Sequence, residues 1–294
     1  MRILLAGSTG VLGRAVTPLL VQAGHQVIGT TRQGERFASI AAMGAEPVLM
    51  DALNREQTHE VLAAAHPDLV MHQLTDLAER NFAGNATLRR IGTRNLVDAA
   101  VAQGVQRMIA QSISWIHALG PGPAREDDPW DLEAVPPRLT TVLSVRELEQ
   151  AVAQMRHGVV LRYGTLYGPG TWYAREGLIS TQLRQGELMA SPDITSFVHV
   201  GDAAQAALQA LEWASGVYAI VDDDPAAADA WMGLYARLIA APEPHSTSAR
   251  TPWARGASNA KARSRGWTPR LRSWRAGFPE ILQAPSPTAE RAER

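Results

Sequence analysis

The sequence predicts an α/β fold, a doubly wound parallel sheet with a smaller C-terminal lobe, and three observations carry that prediction. Short β-branched runs alternate with helical patterns through the first half of the chain, as in βαβ units. Three glycines stand between the first apolar run and the first helical pattern, at the spacing Gly-x-x-Gly-x-x-Gly. From about residue 165 the alternation weakens, and a loop marked by Gly, Pro and aromatic residues, "YGPGTWYAREGL", begins the remainder.

In chain order, "RILLAG" (2–7) predicts the first strand and "VLGRAVTPLLVQAG" (11–24) the first helix, ended by Gly24. Strands follow at "HQVIGTTR" (25–32), "AEPVLMD" (45–51) and "PDLVMHQL" (67–74). One helix is expected over 87–104, a strand over 105–112, a helix at "TTVLSVRELEQAV" (140–152) and a strand over 157–164. Later, "ITSFVHV" and "GVYAIVDD" read as strands around an alanine-rich helix at 201–214, and "PAAADAWMGLYARLIAA" as a further helix. The expected organisation is a dinucleotide-binding core over 1–164, to which later segments return, and a mainly substrate-binding lobe over 165–283. The tail 284–294 has no apolar stripe and is expected to be disordered.

Composition narrows the function classes. With 294 residues, 46% hydrophobic content and a net charge of -1, the chain offers no electrostatic case for nucleic acid or an acidic membrane. The absence of cysteine excludes disulfides, thiolate metal sites and a cysteine nucleophile. The sequence shows no clustered His/Asp/Glu pattern for a metal and no apolar run long enough for a membrane span. A cytoplasmic protein is the expectation, with the oligomeric state left open. Lys261 is the only lysine, and no tyrosine precedes Tyr163, so no Tyr-x-x-x-Lys pair occurs anywhere.

The glycine spacing carries the first chemistry. Gly7 permits a tight turn, Gly10 lets the backbone approach a pyrophosphate, and Gly13 brings helix and strand together; Ser8, Thr9, Val11 and Leu12 complete the loop. Free N–H groups at the helix start attract the anion. This is the Rossmann-type arrangement. The second strand ends in Thr30, Thr31 and Arg32, with no carboxylate before Glu35, so NADP(H) is preferred and NAD(H) possible. Arg32 neutralises a 2′-phosphate in this reading, with Arg36 and Arg14 beside it; the alternative is a set of solvated surface arginines. Asp51 either accepts from the adenine amino group or caps the turn that follows.

At this point the chain resembles an extended or atypical short-chain dehydrogenase/reductase of the epimerase/dehydratase group, from "ILLAGSTGVLG" to about residue 280. "GTRNLVDAAVAQGVQRMIAQS", "GVVLRYGTLYGPGT", "SFVHVGDAAQAAL" and "SNAKARSRGWTPR" resemble four further family stretches in the family's order. The resemblance implies cofactor contacts from Asp51, Ala52, Leu74, Ser112, Tyr163, Gly164 and Leu166. It also implies a catalytic Ser or Thr, Tyr and Lys, and here the chain departs. Ile113 falls at the hydroxyl position, Thr141 at the tyrosine and Val145 at the lysine of the Tyr-x-x-Ser-Lys-x-x-x-Glu pattern, while Ser144 and Glu149 match it. Tyr163 stands where proline is usual, and Arg89 where many relatives have Asn.

The combination of an unspoiled cofactor loop and an altered triad resembles the triad-less ketoreductases of angucyclinone biosynthesis. That resemblance implies reduction of a ring ketone of an aromatic polyketide, with the proton donated by a phenol on the substrate itself. Trp115, Trp172 and Tyr173 are expected to wall an aromatic ketone, or else to pack between the lobes. Ser114 and His117 are the candidate polar groups for catalysis, each with a structural alternative; His72 and His199 read as core or capping residues. The competing function is a catalytically silent NADP(H)-binding sensor. A sugar-nucleotide epimerase or dehydratase is disfavoured, because those reactions need the missing tyrosine.

Overall fold

The computed structural model describes residues 1–78 and 80–283. The first half runs β1 (Arg2–Ala6), α1 (Val11–Gln22), β2 (Gln26–Thr31), α2 (Phe37–Ala42), β3 (Glu46–Leu49), α3 (Arg55–Ala65), β4 (Leu69–His72), α4 (Phe82–Thr87), α5 (Thr93–Ala102), β5 (Arg107–Ile113), α6 (Arg138–Val152) and β6 (His157–Tyr163). The second half runs β7 (Thr165–Tyr167), α7 (Leu178–Arg184), β8 (Met189–Ala190), β9 (Ile194–Thr195), β10 (Phe197–His199), α8 (Val200–Gln209), β11 (Gly216–Ile220), β12 (Ala226–Ala227), α9 (Ala228–Leu238), β13 (His245–Ser246), α10 (Ala260–Ser264) and α11 (Trp274–Gln283).

Seven strands form one parallel sheet in the order β11-β6-β5-β4-β1-β2-β3. The chain order reverses between β1 and β4, which creates a crevice at their carboxyl ends. Both sheet faces are covered, so the strands read as continuous apolar runs rather than alternating ones. On one face Leu5, Met71, Ile109 and Leu161 meet Leu12, Val16 and Leu20 of α1 and the alanines of α8. On the other, Leu4, Val70, Met108 and Val160 meet Leu96 and Ala100 of α5 and Leu148 and Val152 of α6.

The helix expected over 87–104 is not continuous. α4 and α5 are joined by a π-helical turn, Leu88–Gly92, which accommodates one extra residue per turn. The strand expected at "ITSFVHV" is likewise split into β9 and β10, which pair with different partners, β12 and β7. The second half builds its own core from aromatic rings. Phe197 and Phe278 lie 5.2 Å apart edge to face, and Tyr235 and Phe278 5.0 Å, with Tyr167, Trp231 and Trp274 around them. Among the described residues, no helix is long and apolar enough to cross a membrane. The tail at 284–294 lies outside the described residues.

Candidate active site

The glycine loop fits a dinucleotide. Gly7 has φ 96°, and a Cβ there would lie 2.9 Å from the Gln73 backbone; at Gly13 a Cβ would lie 2.1 Å from the Gly7 carbonyl. Helix α1 starts at Gly10 with no side-chain cap and no acid in its first turn, so its leading N–H groups are free for an anion. Ser8 does not face that cradle with its hydroxyl: its Oγ donates to the Thr30 carbonyl at 2.9 Å and ties the loop to β2. Thr9 offers its carbonyl to Arg14, whose guanidinium reaches toward Gly170 in the Gly-Pro-Gly loop. Val11 is half-buried and Leu12 buried against the core.

The remaining cofactor positions lie along the carboxyl edge of the sheet. Arg32 directly follows β2, is mostly exposed, and points toward Asp76 at 3.6 Å. Asp51 accepts from the Leu53 N–H at 3.0 Å, the capping geometry that was its alternative role. Ala52 presents its carbonyl to Asn95 Nδ2 at 2.8 Å, and the Leu74 carbonyl accepts from Gln111 Nε2 at 2.9 Å. Gly164 passes under Ser196, where a Cβ would lie 2.6 Å from a carbonyl, and Leu166 packs on the α1 side of the sheet. Tyr163 is buried on that same side with its hydroxyl unpaired, and burial pushes its pKa well above the ordinary phenol value. Two surface depressions of about 290 and 320 Å³ lie at the opposite, amino end of the strands and carry none of these groups.

Two of the three positions that the resemblance assigned to the triad lie in an apolar plug. Ile113, Ile116 and Val145 pack together with Trp130 against them, and Val145 is fully buried. Thr141 is half-buried, and its carbonyl accepts from Ser144 Oγ at 2.9 Å. Behind the plug runs a network that sequence reading did not join. Ser112 Oγ donates to Glu149 Oε1 at 2.7 Å, turning its hydroxyl away from the cleft. Glu149 is held by Arg162 through two bonds of 2.9 and 2.8 Å, a bidentate buried pair, and the Arg162 guanidinium also lies over Trp130 at 5.0 Å.

Arg162 decides the state of His117. Its Nη1, a donor only, stands 3.2 Å from His117 Nε2, so that nitrogen must accept; Nδ1 then carries the proton and donates to the Asp128 carbonyl at 3.0 Å. Burial and then the Arg162 charge hold the imidazole below its ordinary pKa. Both nitrogens are engaged, which leaves His117 no proton for a substrate and revises its expected catalytic role. His72 is fully buried against Thr93 at 3.0 Å; burial, then the Arg89 charge, pulls it down to about 4. His199 caps α8 through the Gly201 N–H. Ser114 is buried beside the plug, and its hydroxyl has no hydrogen bond among the described residues.

The aromatic residues divide. Tyr173, expected to wall the substrate, belongs to the aromatic core, 5.4 Å from Phe197 and 5.7 Å from Trp231. Its neighbour Trp172 instead reaches across to Phe82 of α4, 6.3 Å away and edge to face, and Phe82 is 57% exposed. Trp115 is also exposed, with its carbonyl held by Arg138. Phe82 and Arg89 were not among the expected site residues. The sequence signal for them was only an exposed aromatic beside a helix start and an arginine where relatives carry Asn. Among the described residues, no cluster of potential metal ligands occurs.

An open parallel sheet with a glycine cradle at its switch point defines a dinucleotide-dependent enzyme. The chain belongs to the NAD dependent epimerase/dehydratase family, whose model matches residues 3–220, and it is an oxidoreductase of that family. It is 41% identical over 305 aligned positions, 95% of this chain and 99% of the relative, to a 3-diazoavenalumate denitrifying reductase from Streptomyces sp. It is 31% identical over 123 positions, 41% of this chain and 36% of the relative, to a 4-hydroxy-2-methyl-3-oxo-4-farnesyl-3,4-dihydroquinoline-1-oxide ketoreductase from Stigmatella aurantiaca. Its fold matches the Bordetella bronchiseptica enzyme WbmG, solved with NAD and UDP, at a TM-score of 0.79 and 17% identity, covering 96% of this chain and 94% of that one. A Thermotoga maritima UDP-glucose 4-epimerase matches at 0.76 and 21% identity, covering 96% and 98%.

Proposed function

We propose that this protein is an NADPH-dependent reductase whose electron-poor aromatic acceptor takes no proton from the protein. The observation that carries this reading is the apolar plug of Ile113, Ile116 and Val145, set beside an intact glycine cradle. A bound dihydronicotinamide supplies hydride, and its placement against an acceptor is worth about 7–11 kcal/mol without any acid. The chain's own part is to hold and to exclude water: Gly7, Gly10, Gly13 and the α1 start cradle phosphates, while the plug keeps the floor of the cleft dry. Arg32, with Arg14 and Arg36 nearby, favours a 2′-phosphate, and NAD(H) remains possible because no carboxylate at the end of β2 selects for or against it.

The full-length relative named for a diazo acid and for loss of nitrogen favours an aryl diazo acid as acceptor. The balance closes without a protein acid. Hydride adds to the terminal nitrogen of an aryl diazonium to give a neutral aryl diazene. Its carbon–nitrogen bond then breaks, N2 leaves, and the diazene hydrogen passes from nitrogen to the ring carbon, so no further proton is consumed. A second acceptor is favoured by the ketoreductase relative and by the Trp172–Phe82 pair and the exposed Trp115, which offer flat apolar surface: a ring ketone of an aromatic polyketide, such as an angucyclinone in antibiotic biosynthesis. There the alkoxide needs a proton, and losing a protein acid costs about 10² to 10⁴ in rate unless an adjacent phenol supplies it.

The test is a panel of ortho-diazo phenols and phenol-flanked aromatic ketones, run with NADPH and NADH and with wild type and Arg32→Ala. NADPH oxidation with N2 release, and deuterium from labelled cofactor on the ring carbon, is expected for the diazo acceptors. Arg32→Ala should lose roughly tenfold in kcat/KM with NADPH only. Tight cofactor binding with no oxidation across the whole panel would leave the silent-sensor function instead.

A further inference from the structure

Three arginines of the described chain are almost wholly enclosed, and they are not treated alike. Arg162, 2% exposed, is paired bidentately with Glu149. Arg255, 5% exposed, is paired with Asp128 at 2.7 Å. Arg89, also 5% exposed, has no ion pair and no side-chain hydrogen bond among the described residues, and its Nε is buried without a partner. Burial lowers its pKa to about 10, so it remains a cation at neutral pH. An enclosed guanidinium without a counter-charge works against stability, and a fold that pairs its other two has the means to pair a third.

The position of Arg89 says what completes it. It lies in the π-helical turn Leu88–Gly92, and π-turns recur where a helix is reshaped for function. That turn packs on α6, the helix carrying Thr141 and Val145. Gly92 of the same turn lies against Ala52, just past the carboxyl end of β3, where an added Cβ would be 3.5 Å from the Ala52 Cβ, and the Arg89 charge is felt by His72, the last residue of β4. α4, which leads into the turn, carries the exposed Phe82, edge to face with Trp172 of the Gly/Pro-marked loop. The position of the family lysine is the apolar Val145, and the chain's one lysine, Lys261, is engaged over the Tyr218 ring at 4.9 Å. Resting on the hydride-acceptor reading above, we infer that Arg89 anchors an oxyanion of the aromatic acceptor, a phenolate or a carboxylate, between α6 and the carboxyl edge of the sheet.

The chemistry is consistent with that role. Adding a hydride makes the acceptor one unit more negative, and a fixed cation beside it stabilises the gain without delivering a proton. The two sources of the oxyanion separate in a binding experiment that involves no turnover. The NADP⁺-loaded protein is titrated by calorimetry with 4-hydroxycinnamate, with its methyl ester, which lacks the carboxylate, and with 4-methoxycinnamate, which lacks the phenol. Wild type should prefer the parent acid by on the order of thirtyfold over whichever capped form has lost the anchored oxygen. Arg89→Met should abolish that preference, Arg89→Lys should retain part of it, and the exposed neighbour's substitution Arg90→Met should leave it intact. NADP⁺ binding should stay within about twofold in all of them.

Equal affinity of wild type for parent and capped probes would overturn the assignment, and so would no binding of any probe. It also fails if Arg89→Met weakens NADP⁺ while sparing the preference. If Arg89→Met does not fold, the wild-type preference and the Arg89→Lys titration decide alone. Turnover of the acceptor panel without this preference removes the anchor and leaves the reductase; the preference without any NADPH oxidation does the reverse.

Discussion

On the phosphate side of the cleft the chain is constrained by its own backbone: Gly7 against Gln73 and Gly13 against Gly7 leave no room for even one added carbon. On the α6 side, the positions that the resemblance assigns to a polar triad hold Ile113 and Val145, packed with Ile116, and a half-buried Thr141. The difference teaches which constraint is rigid. A cradle for phosphate made of N–H groups and close approach tolerates no substitution, whereas a site made of side chains can lose its chemistry and remain well packed if the volume is filled.

The comparison can be broken first at its support. Arg162→Met removes one half of an enclosed ion pair and strands Glu149, which should cost about 3–5 kcal/mol in urea unfolding. A loss below about 1 kcal/mol would mean that the network behind the plug is dispensable. Gly13→Ala comes next. Its clash is with the backbone of Gly7 and Ser8, so a loss of about 3 kcal/mol and of NADP⁺ binding is expected by calorimetry.

Acid should then separate the halves. His72 titrates at about 4 in the fold against 6.5 when unfolded, so between those values the unfolded chain alone binds the proton. Its contribution, on the order of 3 kcal/mol, is therefore fully present above the ordinary value and lost as pH falls through the folded one. A urea-midpoint series across that window should flatten in His72→Gln. The smallest effect sharpens the contrast: Thr141→Val should leave kcat within about threefold, since nothing in the structure makes its hydroxyl a donor to the cleft. A hundredfold loss would make Thr141 the concealed acid.

Most of the phosphate side was legible in the sequence because its signal is local: three glycines at fixed spacing between a strand and a helix. The doubly wound parallel sheet followed from the alternation of apolar runs with helical patterns, without the order of its strands. What escaped has a different character. Glu149 and Arg162 are 13 residues apart on a helix and a strand, and only the parallel sheet brings them together. Trp172 and Tyr173 are adjacent in a loop that has no period, so nothing in the sequence separates the ring that faces Phe82 from the ring that enters the aromatic core. The π-turn at Leu88–Gly92 left no mark because its residues keep a helical pattern on both sides. Its arginine, enclosed without a carboxylate among the described residues, was visible only as an unusual residue at position 89.

The outermost strand of the sheet, β11, and the alanine face of α8 both arrive after residue 199, yet one closes the flank of β6 and the other covers α1. The nucleotide-binding half is thus unfinished when its own last strand has left the ribosome. A chain halted after residue 164 would present a bare strand edge and an uncovered helix, both invitations to aggregation. Synthesis must run on through α8, to residue 209, before the first helix meets its lid. The fragment ending there should accumulate as insoluble material while a chain ending at residue 283 stays in solution, and a soluble short fragment would show that the late segments decorate the sheet instead of completing it.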